Sequence, residues 1–162
     1  MADQAVINSL EFTRKSLEIH GKIKLSQLPR LGDVLCSDDG ELDFHLKGDV
    51  NDRGEPLLRL RITGRLILVC QRCLGPIDYP LDIYVNYVVV PSEELLPLPN
   101  DENDETDYIV ADERMQVRQQ VEDEVLLGLP LALMHETPRC CSVFPHGMAQ
   151  KDNPFNVLNG RN

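Results

Sequence analysis

The sequence predicts an α+β fold: an antiparallel β-sheet meander with short N-terminal helices, one longer helix after an acidic loop, and an irregular cysteine-containing C-terminal tail. Three observations predict it. Residues 42–50, 57–69 and 81–90 alternate apolar and polar side chains with period two, the pattern of strands with one buried face. Residues 91–107 break that pattern with three prolines and seven acids. Val117, Val121 and Val125 then recur at i, i+4 and i+8, the spacing of a helix with one apolar stripe. At 162 residues and 42% hydrophobic content, residues 1–162 read as a single domain able to bury a core.

Each element has a local justification. Val6, Ile7, Leu10 and Leu17 suggest a weak helix, and residues 17–25 a strand in which Leu17, Ile19, Ile23 and Leu25 share one parity around Gly21. Ser26 is placed to cap a short helix through Leu28, Leu31, Val34 and Leu35, with Pro29 tolerated in its first turn. In the next strand Leu42, Phe44, Leu46 and Val50 face the core, and Asn51, Asp52, Arg53 and Gly54 make the turn out of it. Leu58, Leu60, Ile62, Leu66 and Leu68 then share one face, with Arg59, Arg61, Thr63 and Arg65 opposite. In the third strand Leu81, Ile83, Val85, Tyr87 and Val89 point inward, and Asp82, Tyr84 and Asn86 outward. Residues 91–111 read as an acidic, mobile surface loop. Asp112 is placed to cap a helix that runs to about Gly128 and is stopped by Pro130. From His135 onward no period is visible, and residues 145–162 read as an extended tail.

Charge narrows the function classes. The formal net charge is −11, from 27 acids and 16 bases. A uniformly basic coat for nucleic acid is excluded, and docking on anionic lipid is disfavoured. The charge is not spread evenly, however. Residues 1–90 carry 13 acids and 11 bases, residues 91–124 carry 12 acids and two bases, and residues 125–162 carry two acids and three bases. The near-neutral first segment keeps an arginine row, Arg59, Arg61 and Arg65, continued by Arg72. Those side chains could contact RNA phosphates, with Tyr84 offering a ring to an unpaired base. The competing reading is that they pair across strands with Asp43, Asp49 and Asp82.

The N-terminus shows no basic start followed by an apolar block, and the longest apolar runs fall far short of the ~20 residues needed to span a bilayer. Five cysteines cannot all pair within the chain. A reducing, cytoplasmic location is expected, with no membrane partner.

The sharpest motif is Cys70-Gln71-Arg72-Cys73, half of a tetrahedral zinc site at the end of a strand. His135 and Cys140 supply a second half, with Cys141 and His146 also nearby in sequence. The alternative is that these thiols simply pack as small apolar groups. A thioredoxin-like role would want the first thiol at a helix N-terminus, whereas Gly75-Pro76 and a strand follow. Asp101, Asn103, Glu105, Asp107 and Asp112 mimic a calcium-loop register. Thr106 stands where that loop needs Gly, though, and Pro97 and Pro99 occupy the entering helix. No nucleotide loop, nucleophile elbow or H-E-x-x-H is present, no small-molecule substrate is indicated, and His20 and His45 read as ordinary strand histidines.

Four segments together carry a resemblance. Leu68 to Cys73, the block from Val121 to Pro130, His135 followed by Cys140, and the closing Asn153-Pro154-Phe155-Asn156-Val157-Leu158 resemble the large ribosomal RNA subunit accumulation protein family, the YceD type. The resemblance implies a cytoplasmic, non-enzymatic ribosome-biogenesis factor supporting synthesis, processing or stability of large-subunit ribosomal RNA. Its expected partners are that RNA or a precursor, a basic ribosomal protein, or both. The rival expectation is a zinc-stabilised adaptor that binds a basic ribosomal protein without touching RNA.

Overall fold

A computed structural model describes residues 5–97 and 106–136. The chain runs β1 (Val6–Ile7), α1 (Ser9–Arg14), β2 (Glu18–Lys24), β3 (Leu35–Ser37), β4 (Glu41–Val50), β5 (Pro56–Val69), β6 (Pro76–Val90), β7 (Asp107–Val110), β8 (Met115–Gln116) and α2 (Val117–Gly128). The expected α+β architecture is present. The main sheet has the order β2-β4-β5-β6-β7, and β3 pairs with the far end of β5. All of its pairings are antiparallel except β6 with β7, which is parallel.

β5 holds the centre. Its fourteen residues place Leu58, Leu60, Ile62, Leu66 and Leu68 on the buried face, joined there by Leu42, Phe44 and Leu46 of β4. Phe12 of α1 and Val117, Val121 and Val125 of α2 close the same core. α1 is fixed at its start by Asn8, whose side chain accepts the Glu11 N–H at 3.0 Å.

Several local expectations give way to tertiary contacts. The weak helix begins only at Ser9, because Val6 and Ile7 pair with Gln116 and Met115. The short helix expected from Ser26 is two 3₁₀ turns, Leu25–Gln27 and Pro29–Leu31, followed by β3. Leu25, Leu28 and Leu31 are all buried, and a three-residue repeat suits a 3₁₀ helix better than an α-helix. β6 starts five residues earlier than its alternation suggests, because Pro80 interrupts the pattern without leaving the ladder opposite Arg65. Within the segment read as acidic loop, Asp107–Val110 forms β7. Val50, read as inward-facing, is 43% exposed at the end of β4.

Asp112 does not cap α2. Its backbone is held by Ser9, whose hydroxyl donates to the Asp112 carbonyl and accepts the Asp112 N–H at 2.9 Å. Its carboxylate accepts the Arg114 N–H, and α2 begins after β8, at Val117.

The outer face also buries more than alternation suggests. Leu57, Val88 and Val90 form a second cluster there with Tyr108 and Val110, which explains the unbroken apolar run from Tyr87 to Val90.

α1 lies directly on Gly48, where an added Cβ would come within 2.4 Å of the Phe12 carbonyl oxygen. Gly48→Ala therefore displaces α1. It should lower stability by about 1–3 kcal/mol, read as a fall in urea midpoint at unchanged slope.

Candidate functional site

The turn between β5 and β6 folds the CxxC motif into a tight knuckle. The Cys70 N–H donates to the Gly75 carbonyl at 2.8 Å, and the Leu74 N–H to the Cys70 carbonyl at 2.9 Å, with Leu74 at φ 59°. Two further amides turn toward sulfur: Arg72 N–H to Cys70 Sγ and Gly75 N–H to Cys73 Sγ, each at 3.4 Å. Such N–H···S contacts favour thiolates.

The segment after α2 completes the group. The Gln71 N–H donates to the Leu133 carbonyl at 2.9 Å, which docks that segment on the knuckle. His135 Nε2 lies 3.0 Å from the Pro76 carbonyl, and Nδ1 lies 3.3 Å from Cys73 Sγ. A carbonyl only accepts, so Nε2 carries the proton and Nδ1 turns its lone pair toward the sulfurs. The donor atoms of Cys70, Cys73 and His135 all lie within 4.8 Å of one another. Burial opposes ionisation of the Cys70 thiol, but the amides of Cys73, His135 and Arg72 outweigh it and lower its pKa to about 6.

Two sulfurs and an imidazole nitrogen, its ring oriented from behind by the Pro76 carbonyl, fit three corners of a tetrahedral zinc site. Cys140, the expected fourth ligand, lies outside the described residues, as do Cys141 and His146.

The arginine row lies on the outer face of β5 and is paired with carboxylates. Arg59 meets Asp49 at 3.3 Å, Arg61 meets Asp82 at 3.1 Å, and Arg65 meets Asp78 at 2.9 Å. Asp49 and Asp82 are the partners expected from sequence, whereas Asp43 instead faces Lys22 at 3.6 Å. Across the β2–β6 face, Lys22, Lys24, Lys47, Arg59, Arg61 and Arg65 balance Glu18, Glu41, Asp43, Asp49, Asp78 and Asp82. Tyr84 stands directly opposite Arg61 and is 60% exposed. Arg72 is exposed on the knuckle and has no ion pair to another described residue.

A feature that the sequence left unmarked lies where α2 crosses the β6–β7 edge. A cleft of about 570 Å³ is lined by Tyr87, Asp107, Tyr108, Asp123 and Glu124, among others. Arg30 ion-pairs with Asp123 at its rim, and the Arg30 N–H donates to the buried Glu122 carboxylate at 2.7 Å. Burial raises the Glu124 pKa, and Asp107 and Asp123 add to the rise, although a hydrogen bond from Tyr87 opposes it. The signal in sequence was the cluster Glu122-Asp123-Glu124, but only the parallel β7 brings Asp107 to it.

The sequence profile of the family Large ribosomal RNA subunit accumulation protein YceD matches residues 58–159, from β5 to near the end of the chain. The chain belongs to this family. A YceD relative from Haemophilus influenzae (strain ATCC 51907 / DSM 11121 / KW20 / Rd), described as Large ribosomal RNA subunit accumulation protein YceD, is 26% identical over 168 residues. That alignment covers 94% of this chain and 91% of the relative. No solved structure matches. The YceD match spans the arginine row, Tyr84, the CxxC knuckle and His135, and leaves β2 and β4 outside it. Among the described residues no helix is long and apolar enough to cross a membrane.

The knuckle and the cleft each have a measurable consequence. Cobalt(II) added to the reduced protein should give thiolate-to-metal charge-transfer absorption at one equivalent. Cys73→Ser should weaken metal binding severely, since it removes a thiolate from the centre. The Glu124 pKa is raised on folding, so its contribution to stability is present at acid pH and is lost as pH rises through the carboxylate range. Glu124→Gln should therefore stabilise the protein at neutral pH and lose that advantage in acid, as read by thermal melts at both pH values.

Proposed function

We propose that the chain is a non-enzymatic factor supporting synthesis, processing or stability of large-subunit ribosomal RNA, and that it contacts this RNA or an early precursor through the outer face of the sheet. One observation carries the reading: in a chain of the rRNA-accumulation family, Arg59, Arg61, Arg65 and Tyr84 share one solvent-facing surface. The aspartate pairings do not remove those arginines from use. Their side chains remain 40%, 57% and 73% exposed, and exposed pairs are worth about 0–1 kcal/mol, so a phosphate exchanges readily for a carboxylate. Balanced charge makes the contact local rather than a long-range attraction. A zinc ion at Cys70, Cys73 and His135 would fix the knuckle that carries Arg72 and pin the segment after α2 beside it. The compartment for this role is the cytoplasm.

The acidic cleft favours a second reading, in which the same zinc-stabilised scaffold acts as an adaptor for a basic ribosomal protein, with Asp107, Asp123 and Glu124 receiving its cations.

The test replaces Arg59, Arg61, Arg65 and Arg72 together with Ala. RNA binding should weaken, and the slope of log affinity against log salt should flatten by about 0.7 for each phosphate the variant no longer neutralises. Large-subunit RNA should fall in cells that carry only this variant. Unchanged binding and RNA levels, with association to a ribosomal protein that survives RNase, would transfer the function to the acidic cleft.

A further inference from the structure

The cross-strand register aligns four flat side chains in a single row. His20 of β2 lies opposite His45 of β4, His45 opposite Arg61 of β5, and Arg61 opposite Tyr84 of β6. Two imidazoles, a guanidinium and a phenol ring thus cross four neighbouring strands on the outer face, about 15 Å from end to end. The rows on either side differ. Lys22, Asp43, Thr63 and Asp82 form one, and Glu18, Lys47, Arg59 and Asn86 the other. Both contain carboxylates, and the His-His-Arg-Tyr row contains none.

The flanking carboxylates hold the row in place. Glu18 meets His45 Nε2 at 2.5 Å, and Asp82 receives both Arg61 Nε, at 3.2 Å, and Arg61 NH2. Binding the guanidinium edge leaves its flat faces free. A depression of about 530 Å³ lies between this row and the next, with His20, His45 and Arg61 on one side and Lys22, Asp43 and Thr63 on the other. A second, of about 350 Å³, lies on the far side of Tyr84 beside Arg59 and Asn86. The Asn86 Oδ1 there is shielded and has no hydrogen-bond partner among the described residues. The residue as a whole is half-buried and lines this depression, and its amide carries both an acceptor and a donor for a base edge.

We infer that the row His20, His45, Arg61 and Tyr84 is a stacking platform for unpaired bases of single-stranded RNA, with Asn86 meeting the edge of the base on Tyr84. Flat π groups stack on bases without regard to sequence, because every base has a π face, and the stacking contact itself is not an attraction between opposite charges. That matches a face on which cations and carboxylates are equal in number. The inference rests on the RNA-contact reading and narrows it: Arg61 acts through its plane, and unpaired rather than duplex RNA is selected. It also draws in β2 and β4, which lie outside the matched family range.

The test uses the full chain and three probes: an unstructured mixed-sequence oligoribonucleotide, a duplex RNA and inorganic polyphosphate. Tyr84→Ala and His45→Ala should each weaken the single-stranded complex roughly 5- to 150-fold, without changing its salt slope. Tyr84→Phe should bind as the parent does, which separates loss of the ring from loss of fold. Ring resonances of His20, His45 and Tyr84 should shift on adding the oligonucleotide, and those of Tyr79 should not. If both alanine variants bind within twofold of the parent, the platform is refuted and the arginine contact stands. If polyphosphate or duplex RNA competes as well as the single strand, charge alone accounts for binding and the platform is refuted. If the parent binds none of the RNAs, the RNA-contact reading falls with it.

Discussion

The two-residue alternation of β5 from Leu58 onward is the constraint on which the other elements depend. It pairs with β4, β6 and β3, so its register places four strands at once. Leu58, Leu60, Ile62 and Leu66 are completely buried, and burying four such side chains is worth on the order of 6–12 kcal/mol. That is the scale of the net stability of a whole domain. A one-residue slip would send those leucines to water and the arginines to the core. The chemistry on the outer face is therefore held in place by the burial on the inner one.

The same strand sets where the two candidate sites lie. The knuckle begins one residue past the end of β5, so Cys70 is carried into the buried layer while Arg72 stays in solvent. The cysteines are close in sequence, and the histidine arrives from the far side of α2. Leu133 and His135 meet the knuckle through a backbone hydrogen bond and a ring oriented by Pro76. A metal held there would tie together chain segments 62 residues apart, which is the usual physical value of a structural site.

The surface divides its labour by charge. The outer sheet face is balanced, and its pairs are exposed and weak. Among the described residues, Asp107, Asp123 and Glu124 share a cleft at the β7–α2 edge. On the two proposed readings a nucleic acid would meet the outer face of β2 to β6 and a basic protein the β7–α2 edge, so they invoke different residues.

By itself the sequence determined the properties that depend on neighbours along the chain. The parity of β4, β5 and β6, the helical spacing of Val117, Val121 and Val125, the CxxC knuckle and the segregation of acid into residues 91–124 were all legible there, because each is a local period or a local count. Tertiary structure decided what depends on register and on distant contacts. Ser9 took the Asp112 backbone away from α2, Asp78 rather than Asp43 took an arginine, and β7 turned part of an acidic segment into a parallel strand. The approach of His135 to Cys73 and the alignment of His20, His45, Arg61 and Tyr84 belong to the same class. Period two tells which face a side chain takes, but which residue stands beside it across the ladder is fixed only when the strands pair.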